Sequence, residues 1–132
     1  MNEVFYDSWA WIEVYSGTAK GGRIDARYGS GRANIHTSLW ALAEVGAKTH
    51  AEKGDSTAQS VIMRIQKDAA EVHGVTLEDV RSAVALRTEL RARSRKPASL
   101  GDAVILSQAR RLKLPLISGD PAFDGQKDVR SD

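Results

Sequence analysis

VFYDSWAWIE, residues 4–13, changes its pattern in the middle. Glu3 to Tyr6 is a short apolar-leaning run that stops at Asp7, and it reads as a strand. Ser8 to Tyr15 carries Trp9, Trp11, Ile12 and Tyr15. With Asp7 or Ser8 as its N-cap it reads as a short helix. The same succession of strand and helix recurs down the chain, and the recurrence decides the fold class.

The glycines from Gly17 to Gly31 punctuate a weak segment with a poor helix at Lys20 to Arg27. Ala33 to His36 reads as a second strand. Thr37 or Ser38 then caps a helix that carries Leu39, Leu42, Ala43 and Gly46 on one side. After the turn Lys53-Gly54-Asp55, Ser56 opens a helix with Ala58, Val61, Ile62, Ile65 and Ala69 at three-and-four spacing. Glu71 to Val75 is a third strand interrupted by Gly74. Thr76 and Asp79 resemble a capping box, and the helix behind them runs through Leu77, Val80 and Val84 toward Leu90. Ser99 caps the next helix, whose run Ala103 to Leu106 suits burial on more than one side. Leu114 to Ser118 is a strand, Gly119-Asp120-Pro121 a sharp turn, and Gln126 to Asp132 an edge strand or tail. This alternation predicts an α/β fold with a mostly parallel sheet, in one domain spanning residues 1–132.

Composition narrows the function. The 132 residues contain no cysteine, which removes disulfides, zinc–thiolate sites and cysteine nucleophiles and fits a reducing cytoplasm. The longest unbroken aliphatic run is Ala103 to Leu106, so no membrane span is expected. Met1 to Tyr6 lacks the basic-then-apolar pattern of a signal peptide. Nineteen Lys and Arg stand against 17 Asp and Glu, a net charge of +2. That balance hides an uneven arrangement, because six bases and one acid lie between Arg81 and Lys96.

Four acids occupy positions that such a fold can use. Asp7 follows the first strand and Asp120 the strand Leu114 to Ser118. Open parallel sheets build their sites at the carboxyl ends of strands. Glu44 lies inside an otherwise apolar helix, and Asp102 lies in the first turn of another. Each also has a plain reading: Asp7 as an N-cap, Glu44 paired with Lys48, Asp102 as part of a helix start after Ser99, Asp120 as a turn residue.

The four together carry a resemblance. VFYDSWAWIE (4–13) resembles the opening block of the PIN domain family, in which an aspartate closes the first strand. TSLWALAEV (37–45), LGDAVILSQA (100–109) and LISGDPAF (116–123) resemble its later blocks, in order and spacing. The likeness spans nearly the whole chain and is greatest to the VapC-type toxins. It implies a three-layer α/β/α sandwich and a metal-dependent endoribonuclease, with Asp7, Glu44, Asp102 and Asp120 holding Mg²⁺ or Mn²⁺. Ser118 matches a small hydroxyl position that supports the site. Asp124 is read as an extra outer ligand or a plain surface aspartate. The resemblance also implies an RNA substrate, a small VapB-like antitoxin as partner, and a homodimer. The physics agrees with a metal. Clustered carboxylates raise one another's pKa, and a hard cation with oxygen ligands relieves the repulsion.

Arg87, Arg91 and Arg95 recur every four residues and predict one helical stripe, either a solvated face or a surface for RNA phosphates or an antitoxin. Trp9, Trp11, Tyr15 and Trp40 suit either base stacking or burial in the core or a subunit contact. His36, His50 and His73 have no metal-ligand spacing among themselves and read as structural or surface residues. No serine has a visible histidine partner, and the glycines do not form a nucleotide-cradling motif. Three other readings stay open: a PIN nuclease of RNA processing without an antitoxin, a catalytically silent RNA-binding or scaffold protein, and a phosphoryl-transfer receiver. The receiver lacks its acidic pair and its late lysine.

Overall fold

A computed structural model describes residues 2–132. Strand β1 (Asn2–Tyr6) leads into helices α1 (Ser8–Ser16) and α2 (Ala19–Tyr28). Strand β2 (Ala33–Ser38) is followed by α3 (Leu39–Lys53) and α4 (Asp55–Asp68), and β3 (Glu71–His73) by α5 (Leu77–Arg93) and α6 (Leu100–Arg111). Strand β4 (Leu116–Ile117), a 3₁₀ turn (Pro121–Phe123) and β5 (Val129–Arg130) complete the chain. The five strands form one sheet in the order β3-β2-β1-β4-β5, and every pairing is parallel.

Alternation along β1 divides the core between the two faces. Phe5 and its register partner Leu116 pack with Ala83, Leu86 and Leu90 of α5 and with the buried run Ala103 to Leu106 of α6. Val4 and Tyr6 point the other way, with Ile35 and Ile117, against Trp11, Ile24, Leu42, Val45 and Ile65 from α1 to α4. The result is a three-layer α/β/α sandwich. Strand β1 is the switch point, because connections leave it toward β2 on one side and β4 on the other. Parallel sheets bind ligands at the carboxyl edge of such a point.

Local chemistry sets the element ends. Asp7, Thr18, Ser38, Thr76 and Ser99 each accept a backbone N–H at a helix start. The boxes Thr76/Asp79 and Ser99/Asp102 are reciprocal, which satisfies two otherwise orphaned donors apiece. Strand β4 is shorter than the expected Leu114 to Ser118. Lys113 takes a left-handed conformation at φ +58° and the Leu114 N–H returns to Ala109 O, so Leu114 still belongs to the end of α6. Strand β3 stops at His73 because Gln108 Nε2 donates to the carbonyls of His73 and Gly74.

Two helix faces differ from the expected pattern. In α3 the buried residues are Ala41, Leu42, Val45 and Gly46, whereas Leu39, Trp40 and Ala43 are exposed. Gly46 is needed there, since a Cβ would come 2.7 Å from Ile62 Cδ1 of α4. In α5 the sheet side is formed by Ala83, Leu86 and Leu90, and Leu77, Val80 and Val84 point outward. In each helix the inward face mixes small residues with aliphatic ones: Ala41 and Gly46 with Leu42 and Val45 in α3, Ala83 with Leu86 and Leu90 in α5. Trp11 and Tyr15 also find their burial inside the chain. Trp11 packs on Tyr6 and Tyr15 and donates to Thr37 Oγ1 at 2.8 Å, and Tyr15 Oη donates to Asp68 at 2.8 Å. Contacts within the chain thus account for much of the burial that this pair requires.

Candidate active site

The carboxyl ends of β1 and β4 carry Asp7 and Asp120, and the second turn of α3 and the first turn of α6 carry Glu44 and Asp102, near enough for the charges of Asp102 and Asp120 to act on Asp7 and Glu44. Asp7 is 3% exposed, at the end of β1. Its Oδ1 accepts the Ala10 N–H at 2.8 Å, which caps α1 and fixes the carboxyl's orientation. Asp102 accepts the Ser99 N–H through Oδ2 at 2.8 Å, and Asp120 accepts the Ala122 N–H through Oδ1 at 2.9 Å. The cap and turn readings of these three residues are thus correct, and they do not compete with a site. A backbone N–H holds one oxygen of each carboxyl in place. Glu44 accepts from Ser8 Oγ at 3.3 Å. Its expected pairing with Lys48 does not form, since Lys48 pairs with Glu52 at 3.1 Å.

The electrostatics bear the mark of the crowding. Burial raises the Asp7 carboxyl to about 8, with Asp120 and Asp102 pushing in the same direction, while the Ser118 hydroxyl and the Ala10 N–H oppose them. Burial also raises Glu44, reinforced by Asp102 and Asp120. Asp102 rises for the same reason, reinforced by Asp120. Ser118 is buried and its Oγ accepts the Asp120 N–H at 3.1 Å, so it supports both strand-end acids at once.

Lys96 completes the pocket. Its Nζ donates to Asp120 Oδ2 at 3.1 Å and Oδ1 at 3.3 Å. That hydrogen bond raises its own pKa, and the charges of Asp120, Asp102 and Asp7 add to the rise. In the sequence Lys96 is one more base in a basic run. Two tryptophans flank the acids. Trp9 lies against Gly119, where a Cβ would come 2.5 Å from Trp9 Cζ2, and Trp40 lies against Gly101. Trp40 is 44% exposed and lines a groove with Ala43, Glu44, Ala47, Ser99 and Leu100.

Asp124 and the arginine stripe fall outside the pocket. Arg95 donates to Asp124 through its backbone N–H, Nε and Nη2, and this holds the Asp124 carboxyl down at about 2. Asp124 is thus the partner of Arg95 and stands apart from the acid cluster. The stripe itself breaks, because α5 ends at Arg93 and Arg95 lies beyond it. Arg91 Nε donates to Ala98 O at 2.8 Å and fastens the α5–α6 loop, while Arg87 Nε is buried without a partner.

The four acids offer oxygen donors alone, the set that suits Mg²⁺ or Mn²⁺. An ammonium already sits among them, so the pocket favours positive charge. The donor chemistry therefore fits a hard divalent cation.

The PIN domain profile matches residues 4–128. The chain belongs to the PIN domain family. Solved structures share the fold of this PIN domain at low sequence identity. VapC20 of Mycobacterium tuberculosis, a toxin that cleaves the sarcin-ricin loop, is 21% identical at a TM-score of 0.71, over 96% of this chain and 98% of that one. VapBC2 of Rickettsia felis, bound to a DNA fragment from its promoter, gives 16% and 0.72 over 97% and 96%. A toxin–antitoxin complex from Klebsiella pneumoniae gives 20% and 0.69 over 96% and 94%. No curated protein shows significant similarity to the chain. Among the described residues, no helix is long and apolar enough to cross a membrane.

Proposed function

We propose that this PIN domain is a metal-dependent endoribonuclease and the toxin half of a type II toxin–antitoxin pair, acting in the cytoplasm. The observation that carries the nuclease reading is the convergence of Asp7, Glu44, Asp102 and Asp120 at the switch point of the sheet. A cation bound to these oxygens would neutralise phosphate charge and lower the pKa of a water for attack on phosphorus. Asp7 and Asp102 are the first holders, since backbone N–H groups orient both and both carry raised pKa values that a cation would lower. Asp120 holds from the other strand end once Lys96 releases it. Glu44, held by Ser8 Oγ through one oxygen, positions water through the other. Lys96 then has a flexible ammonium free for a substrate phosphate. Trp40 offers an exposed indole face on which a base of single-stranded RNA can stack.

The antitoxin reading rests on the relatives' assemblies and on the groove beside Trp40, whose apolar walls and acidic floor suit a segment carrying an apolar anchor and a basic residue. Setting the four acids aside leaves 13 acids against 19 bases, so the rest of the chain is basic enough for a polyanion. The test is RNA cleavage by metal-stripped protein titrated with Mn²⁺ or Mg²⁺, with the product ends identified. Metal-dependent cleavage to 5′-phosphate and 3′-hydroxyl ends, lost in Asp7→Asn, is the expected result. Cleavage that persists in Asp7→Asn or in excess chelator would refute the site.

A further inference from the structure

A second set of metal-ligating side chains lies away from the acid pocket, on the α5/α6 face of the sheet. His36 of β2 pairs in register with Glu71 of β3, and His73 stands two residues further along β3. All three side chains therefore share one face. His36 Nδ1 lies 2.9 Å from His73 Nε2, and Glu71 Oε2 lies 3.8 Å from the first and 3.9 Å from the second. These three atoms define a triangle whose equidistant point is about 2.1 Å from each, the bond length of zinc to imidazole nitrogen and carboxylate oxygen.

We propose that His36, Glu71 and His73 form a binding site for a borderline divalent metal of the zinc class, separate from the acid pocket. Several independent features fit. His36 Nε2 donates to Glu3 Oε1 at 3.0 Å, so a carboxylate fixes the tautomer in which Nδ1 keeps its lone pair; it accepts from His73 Nε2 at 2.9 Å, and a metal would replace that hydrogen bond. Both rings are nearly enclosed, with side chains 12% and 13% exposed; they stack on each other, and His73 also stacks on Phe5. The Glu71 side chain is 62% exposed, so a fourth position opens to water. The neighbouring Arg111 is engaged by Asp79 at 2.8 Å and does not compete for Glu71. Two nitrogens and one oxygen select zinc, cobalt, nickel or copper over Mg²⁺. A metal here would tie the three-residue edge strand β3 to β2 and, through Glu3, to β1.

The experiment uses tag-free, metal-stripped full chain. It is titrated with Zn²⁺ against a chromophoric chelator and with Co²⁺, whose visible absorption reports nitrogen coordination. With excess Mg²⁺ present to occupy the acid pocket, the expected result is one equivalent of Zn²⁺ bound at micromolar Kd or tighter and a rise in Tm of about 5 °C at saturation. His36→Gln with His73→Gln should weaken binding at least about 100-fold, and Glu3→Gln about tenfold. Asp7→Asn should leave it unchanged. The proposal is overturned if wild type binds no Zn²⁺ at these concentrations, if the double histidine variant binds equally, or if Asp7→Asn abolishes binding. Glu71→Gln is exposed and leaves the rings intact, so it decides the matter should the histidine variant not fold. A loss of about tenfold supports the site, and no change sinks it. Failure of RNA cleavage has no bearing on this outcome.

Discussion

Lys96 Nζ stands 3.1 Å from Asp120 Oδ2, and it is the cation that the acid pocket draws from its own chain. The Lys96 side chain is 57% exposed and that of Asp120 14%, so the ammonium reaches in from solvent on a flexible stem. On the proposed function, a divalent ion held by Asp120 would compete with this ammonium for the same carboxylate.

Lys96→Gln should therefore separate two functions. Removing a competing charge from a half-open site is worth about 1 kcal/mol, so Mn²⁺ affinity should rise about fivefold. RNA cleavage at saturating metal should fall, mainly through KM, because the phosphate loses its ammonium. Calorimetric titration with Mn²⁺ and cleavage kinetics measured on the same variant check both arms. A variant with weaker Mn²⁺ binding would contradict the competition.

The metal-free protein should lose stability as pH rises, through Asp7. Its carboxyl titrates near 8 in the folded chain and in the ordinary carboxylate range when unfolded. Stability is then full below about pH 4 and declines as pH rises toward 8, where the buried group must ionise. Asp7→Asn removes the titrating group and keeps the cap, since asparagine caps as well as aspartate. In chelator the variant should be more stable than wild type at pH 8, by a few kcal/mol at most, and level with it at pH 4. Urea unfolding at the two pH values measures the difference.

Much of this site was legible in the sequence because its acids also do local work. Asp7, Asp102 and Asp120 stand at element starts, where capping chemistry makes their positions readable one segment at a time. Lys96 was not legible, because only the folded chain brings the α5–α6 loop to Asp120, 24 residues further on. The same holds for His36 and His73, which lie 37 residues apart and meet through the parallel register of two strands. The faces of α3 and α5 were misread for a related reason. Leu39, Leu77 and Val84 satisfy helical spacing, but the folded helices turn Ala41 and Ala83 inward instead. Arg95 continued a four-residue rhythm past the point where its helix stops.

Asp79 is the buried acid that the site does not use, and it should govern acid stability. Burial pushes its pKa up, but paired hydrogen bonds from Arg111 at 2.8 and 3.1 Å and those from Thr76 outweigh it, and the net shift is downward. A lowered folded pKa means that the pair's stabilisation is present above the ordinary carboxylate range and is lost as pH falls through it. Arg111→Met strands a fully buried carboxylate. It should cost about 3 kcal/mol at pH 7, or about 10 °C in Tm. The deficit should shrink toward pH 3, as Asp79 becomes protonated in the variant. Thermal unfolding of both proteins across that range checks the convergence, and a constant deficit would contradict it.

Gly119 separates Ser118 from Asp120 and leaves room for Trp9. A Cβ there would come 2.5 Å from Trp9 Cζ2 and 2.6 Å from Cη2, closer than real contacts allow. The indole is half-buried between α1 and the pocket, so it cannot simply rotate into solvent without uncovering apolar core. Gly119→Ala should therefore displace either the ring or the 118–120 backbone, at a cost of about 1–3 kcal/mol. A shift of that backbone moves Asp120 relative to Asp7, and Mn²⁺ affinity should fall together with stability. Trp9→Phe removes the six-membered part of the indole that the new methyl would strike. Combined with Gly119→Ala, it should recover most of the lost Mn²⁺ affinity. A double variant no better than Gly119→Ala alone would show that the glycine serves the backbone turn itself and not the tryptophan.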